Sequence, residues 1–244
     1  MSFSKTFATT GRVLNQLRHD HRTLGLMLVV PCVLVTILRY LFDGELKVFN
    51  AIAPMMLGIF PLLMMFLITS ITTLRERTTG TLDRLMAGPI SKLDFMFGYA
   101  IAFSLLGLVQ ASLVSGVTLG FLGVTVEGGA FRLIVAAVTA AFLGTSLGLF
   151  VSAFATSEFQ AVELVMPILM PQVLLCGLFV ARDHMADWLE KISDFLPLTY
   201  SVDAMKQVSN HADWTSDLTH DLLIILGFAI VALVLGSVTI RRRE

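Results

Sequence analysis

From Val48 to Leu74 the chain carries no charged side chain, and this run constrains everything around it. About 20 apolar residues cross a bilayer as a helix, so the stretch is long enough to span and to tilt. Arg75, Glu76, Arg77, Asp83 and Arg84 follow at once. A single charge at the bilayer centre costs about 2.5–3.5 kcal/mol on insertion scales, so this cluster must sit in water. A long apolar run ending in dense charge is the pattern of a chain that crosses a membrane repeatedly. Composition agrees: of 244 residues, 56% are hydrophobic and 14% charged, where soluble domains carry about 25% charged.

Hydropathy divides the chain into six spans, near 24–42, 48–74, 95–126, 131–155, 164–181 and 222–240, which defines an all-α membrane protein with six transmembrane helices in a single domain over 1–244. Ahead of them, residues 3–22 mix apolar Phe7, Val13, Leu14 and Leu17 with Lys5, Arg12, Arg18 and Arg22. This reads as an interfacial helix, with a frayed tail as the alternative. The basic start resembles a signal peptide, but the apolar run begins only near Leu24 and no A-x-A site follows, so it is expected to stay attached as the first span. Pro31, Pro54 and Pro61 fall inside spans and are candidate kinks. The third run is too long for one straight crossing. Gly116 and Gly120, and again Gly144 and Gly148, have the spacing that lets membrane helices approach closely, within one subunit more readily than between two. Cys32 and Cys176 lie in spans and read as core residues without a disulfide.

The charged segment 75–92 is more ordered than an ordinary loop. Gly80 breaks the preceding helix, Thr79 or Thr81 can cap a new one, and Gly88-Pro89 stops it. The short helix between, over 81–87, places Leu82, Leu85 and Met86 on one face. That face suits a partner outside the membrane; spacing alone fits equally a capped connector resting on lipid headgroups.

The residues here carry a resemblance. Glu76 to Pro89 resembles the E-[KR]-x-x-G-T-L-[ED]-x-L-x-x-x-P signature of type 2 ATP-binding-cassette (ABC-2) exporter permeases, where the segment is a cytoplasmic coupling helix. A second block, Leu196 to Lys206, resembles the family's [NL]-P-[LV]-[TS]-Y-x-[VL]-[DE]-[AG]-[LM]-[KR] before the last span. Together with hydropathy, the likeness covers nearly the whole chain. It implies ATPase coupling through Glu76, Gly80, Thr81, Leu82, Leu85, Met86 and Pro89, short re-entrant helices at the outer leaflet over 182–220, and an outer gate at Pro197 and Tyr200. It also implies two copies of a separate ABC ATPase subunit carrying ATP and Mg, and pairing with a second copy of this chain or a homologous permease. The expected cargo is an amphipathic drug, antibiotic or lipid, with polysaccharide or glycolipid export as the alternative in the same family.

The chain's own chemistry is sparse. No G-x-x-x-x-G-K-[ST] occurs, so no phosphate loop is available, no cofactor is expected on this chain, and energy must come from another subunit. His19, His21, His184, His211 and His220 lack metal-site spacing and read as surface residues. No histidine falls well inside a span for hydrolysis at depth, so no catalytic residue is assigned. An ion-coupled carrier, the alternative of a different class, buries paired ionisable groups, for which only Glu163 is a candidate. The net charge of −1 offers no basic face for nucleic acid. A substrate path needs an apolar, adaptable wall, and Met55, Met64 and Met65 in the second span with Met166, Met170 and Gln172 in the fifth supply one; gap filling is the alternative. A short polar link over 156–163, with Ser157, Glu158, Gln160 and Glu163, could make a second cytoplasmic contact.

Lys5, Arg12, Arg18, Arg22, Arg75, Arg77, Arg84, Lys92 and Arg241 to Arg243 fall on one side of a six-span chain, against Arg39, Lys47, Arg132, Arg182, Lys191 and Lys206 on the other. The positive-inside rule puts both termini in the cytoplasm, in a multi-pass protein of a bacterial inner or plasma membrane, surrounded by lipid.

Overall fold

The computed structural model describes residues 3–87 and 91–239, without the side chains of Asp83 and Met86. The stop at Gly88-Pro89, the Met86 knob and the basic tail Arg241 to Arg243 lie outside the described residues. Among those described there is no strand, and six helices are long and apolar enough to cross a membrane.

Helix α1 (Phe3–His19) leads through Asp20 into α2 (His21–Leu41). Asp20 caps α2: its carboxylate accepts from the Thr23 amide at 3.1 Å and the Thr23 hydroxyl at 2.7 Å. These bonds hold its pKa below the ordinary carboxylate value, and they start the first span three residues earlier than hydropathy placed it. Helix α3 (Leu46–Thr78) has 33 residues, which at about 1.5 Å each makes about 50 Å, longer than the hydrocarbon layer. It stays helical through Pro54 and Pro61, and its last turn carries the charges out of the apolar region. Gly80, at φ 72, turns the chain into α4 (Thr81–Ala87).

Ser91 and Asp94 form a reciprocal capping box at the start of α5 (Lys92–Gly116). The excess length of this run is absorbed by a π turn, Val117–Phe121, after which the chain bends back and buries Val124. The third span therefore ends near 121 instead of 126. Helix α6 (Gly129–Ser152) packs along α3, and the two form the centre of the bundle. The approach is close because Gly144 and Gly148 lie against the backbone of Leu62 and Phe66; a Cβ on Gly148 would stand 2.5 Å from the Phe66 carbonyl oxygen. Gly116 and Gly120 face open space instead, so only the second glycine pair brings helices of this chain together.

The fifth crossing is built from α7 (Glu158–Glu163) and α8 (Val165–Leu175). It begins earlier than 164 and ends before Cys176, whereas hydropathy ran it to 181. Two short helices follow, α9 (Asp187–Ser193) and α10 (Pro197–Asn210), and α11 (Ser216–Thr239) closes the bundle. Helix α10 packs beside α3, with Gly58 under the Ser201 carbonyl. Helix α2 and the α7–α8 crossing are the least buried spans.

Candidate functional site

At the end of the bundle shared by α1, α4 and α7, the chain assembles its charged machinery. Glu76, in the last turn of α3, has a nearly buried side chain and chelates Arg12 of α1: Nη1 to Oε1 at 2.9 Å and Nη2 to Oε2 at 3.1 Å. The same Nη2 donates to the Tyr99 hydroxyl of α5 at 2.9 Å. Three helices thus meet on one bidentate pair. Burial opposes the Arg12 charge, but the bonds to Glu76 and Tyr99 more than offset it and hold the guanidinium above its ordinary pKa.

Helix α1 is held along its length by a threonine face. Thr10 donates to the Gly98 carbonyl at 3.1 Å, and Gly98 lies directly under Thr9, where a Cβ would approach the Thr9 Cβ to 2.6 Å. Thr6 reaches Asp94 of the capping box at 3.5 Å. Of the apolar residues that the sequence grouped here, Val13 and Leu17 are buried and Phe7 is exposed, while Thr6, Thr9 and Thr10 are buried. The apolar count missed this because a threonine stripe opposite a glycine packs as closely as an aliphatic one.

Two further ties fix the α7 side. Arg75 chelates Glu158 through Nε at 2.7 Å and Nη2 at 2.9 Å, and Arg77 donates to the carbonyls of Ser152 and Ala155. The polar link 156–163 is thereby joined to the end of α3.

The predicted coupling residues divide on this frame. Glu76 lies inside it and presents no surface to a partner. Gly80 makes the turn. Thr79 hydrogen-bonds back to the Arg75 carbonyl at 2.8 Å, ending α3, and its hydroxyl meets that of Thr81 at 3.1 Å; the cap expected for α4 serves the preceding helix. Leu82 is 3% exposed and packs with Val13, Leu17 and Phe95, with Leu85 partly buried beside it. Leu82 and Leu85 are therefore spent on the chain's own bundle, and among the described side chains of α4 Arg84 and Ala87 are exposed.

The predicted path residues divide as well. Met65 is fully buried beside Gly107, and Gln172 is buried at the start of α10, where its Oε1 accepts from the Leu198 amide at 3.4 Å and its Nε2 donates to the Ile168 carbonyl at 2.8 Å. Neither presents a wall to a path. Met166 and Met170 are exposed on α8, and Met55 and Met64 are half-buried. At the opposite end of the bundle Pro197 opens α10 from a buried position, and the Tyr200 hydroxyl donates to the Asp194 carbonyl at 2.7 Å. Asp203 and Lys206 of the second sequence block pair at 3.0 Å, and Asp203 also accepts from Arg182 at 3.0 Å. Arg182 further holds Ser193 and Asp194, a hub that its isolated place in the sequence did not advertise. All five histidines are exposed, and no group of three or more metal-ligating side chains occurs among the described residues.

A family model described as ABC-2 type transporter matches residues 5–209. The chain belongs to the ABC-2 type transporter family. Similar curated proteins include ABC transporter G family member 20 of Dictyostelium discoideum, 27% identical over 66% of this chain and 22% of that protein. The probable multidrug ABC transporter permease YbhR of Escherichia coli is 26% identical over 64% of this chain and 43% of its own length. The inner membrane transport permease YhhJ of Escherichia coli is 30% identical over 66% and 41%. The matched stretch thus covers less than half of each of these relatives. As an ABC-2 permease, this chain places the Arg12–Glu76–Tyr99 junction and the α4 turn within the matched region.

Proposed function

We propose that this chain is the membrane subunit of an ATP-driven exporter that moves an amphipathic drug, antibiotic or lipid out of the cytoplasm or inner leaflet. It works as a homodimer, or with a homologous permease, on two copies of a separate ATPase that binds ATP and Mg. The observation that carries this reading is the junction of α1, α3 and α5 at Glu76. Together with the Arg75–Glu158 pair to α7 and the packing of Leu82 against α1 and α5, it ties both short helices to the end of α3, so a push on either is delivered to the central span.

In this reading α4 is the coupling helix. Leu82 and Leu85 anchor it, and its outer side, with Arg84, receives the ATPase. Helices α9 and α10 form the outer re-entrant segment with Pro197 and Tyr200 at the gate, supported by the packing of α10 beside Gly58, about 18 Å along α3. Met55, Met64, Met166 and Met170 remain the adaptable wall. The buried carboxylates Glu76, Asp94 and Asp221 all lie in the first or last two turns of their helices, which disfavours an ion-coupled carrier with ionisable pairs at mid-depth.

The test is reconstitution of the permease with a co-purifying ATPase in vesicles. ATP-dependent movement of a fluorescent amphiphile supports the proposal, transport of a polysaccharide chain alone points to the alternative branch, and transport driven by an ion gradient without ATP overturns it. Single cysteines at Ser91 and Asp213, both exposed positions, test the orientation: Ser91 should label from the cytoplasm and Asp213 from outside.

A further inference from the structure

A cleft of about 340 Å³ opens between α2 and α3. Its walls are apolar, formed by Met27, Val30, Met64, Leu67 and Ile68, and its mouth carries Asp20 from the start of α2 and Arg75 from the end of α3. Volume and lining suit a small ligand, since such sites run from about 300 to 1,000 Å³ with mostly apolar walls and few polar groups. The size, at the small end of that range, admits one alkyl chain and excludes a pair.

The cleft is held open by the fold. On one side Met27 is pinned to α5 by Gln110, at 3.3 Å from its carbonyl. On the other, α3 is locked at Glu76 and at Arg75, whose guanidinium grips Glu158 while half of its side chain stays exposed. Asp20 is fixed by its two bonds to Thr23. The mouth therefore presents one carboxylate and one guanidinium on facing walls, at the level where the apolar part of the bundle ends.

We infer that this cleft binds a single-chain amphiphile with a zwitterionic head group, its tail between α2 and α3, its ammonium toward Asp20 and its phosphate toward Arg75. The site lies within one chain; it shares Met64 with the methionine wall but none of that wall's residues on α8. It goes beyond the export reading and stands whether or not the chain exports anything.

The experiment uses the full chain in nanodiscs and a lysophosphatidylethanolamine bearing a photoreactive group in its acyl chain, with labelled peptides mapped after illumination. Labelling is expected near one per chain, on Leu26, Met27 and Val30 of α2 and Met64, Leu67 and Ile68 of α3. Val30→Trp and Leu67→Trp fill the cleft and should each cut labelling by about tenfold, because a filled pocket excludes the tail. Leu67→Phe, a smaller change, gives a graded loss and serves if a tryptophan variant fails to fold. Unlabelled lysophosphatidylethanolamine should compete better than lysophosphatidate, which lacks the ammonium, and Asp20→Asn should abolish that preference. Asparagine caps a helix as well as aspartate does, so α2 keeps its start. Labelling that is spread equally over the outward residues Val29, Val33 and Ile37, or that survives every cleft-filling variant, would show annular lipid and overturn the site. Equal competition by the two head groups in the unaltered protein would overturn the zwitterionic assignment.

Discussion

The Gln110 side chain donates from Nε2 to the carbonyl oxygen of Met27 over 3.3 Å. Met27 lies four residues before Pro31, and proline has no amide hydrogen, so this carbonyl loses its regular intrahelical donor. In lipid such an orphan is costly, and a glutamine from the neighbouring span fills the vacancy. Gln110→Leu should therefore lower stability by about 1–2 kcal/mol by leaving a buried acceptor unpaired. Pro31→Ala restores the donor within α2, so in the double variant the Gln110→Leu loss should be smaller than in the otherwise unaltered chain. Thermal unfolding of the four proteins in detergent measures the coupling.

The Arg12–Glu76 pair is the tie that sets α1 against α3. Glu76→Gln leaves the Arg12 charge without its counterpart and should cost about 2–3 kcal/mol, below the 3–5 of a fully buried pair because Arg12 keeps a third of its side chain in solvent. Arg12→Lys cannot reproduce the bidentate geometry and should lose stability by an intermediate amount. Unfolding midpoints, with protease access to α1 as a second readout, check the order. Equal stability of all three proteins would show that the pair does not hold α1 against α3.

The two glycine pairs should behave oppositely. A side chain on Gly144 would enter the backbone of Leu62, so Gly144→Leu is expected to separate α3 from α6 and abolish stable folding; Gly144→Ala should cost at least about 2 kcal/mol from overpacking. A Cβ on Gly120 meets no atom within 4 Å, so Gly120→Leu should leave the monomer's stability within about 0.5 kcal/mol. If Gly120→Leu instead changes the elution volume, a second chain covers that face.

On α4, Leu82 and Arg84 separate anchoring from contact. Leu82→Asp buries an unpaired charge and should detach α4, seen as new protease cleavage over 79–92 even without any ATPase. Arg84→Glu should leave stability unchanged and lower ATPase-coupled transport alone. Gly80→Pro forces a backbone at φ 72 into a ring fixed near −65° and should reproduce the Leu82→Asp defect.

Met65→Leu and Met166→Leu test the path. Both conserve volume and should cost under about 1.5 kcal/mol. The change at buried Met65 should leave the range of exported compounds unaltered, while the change at exposed Met166 should shift it. A shift at Met65 alone would move the path into the α3–α5–α6 interior.

The amino-acid sequence by itself determined the class of the fold and the place of its water-exposed segment. Those properties follow from transfer energies that each residue carries wherever it sits: a run without charge from 48 to 74 must be in lipid, and the cluster after it must not. The break at Gly80 was legible for the same reason, since the backbone freedom it needs is local. Span ends were legible only within a few residues, because caps such as Asp20 with Thr23 and Ser91 with Asp94 override the hydropathy profile. Tertiary structure alone decided what each polar group is for. Arg12 looks like any basic residue of a surface helix until α3 brings Glu76 to it across 64 positions. Leu82 looks like a docking knob until α1 and α5 cover it, and Gln172 like a polar lining until α10 presents an amide. In each case the deciding energy belongs to a pair distant in the chain, and periodicity along one helix carries no information about the partner.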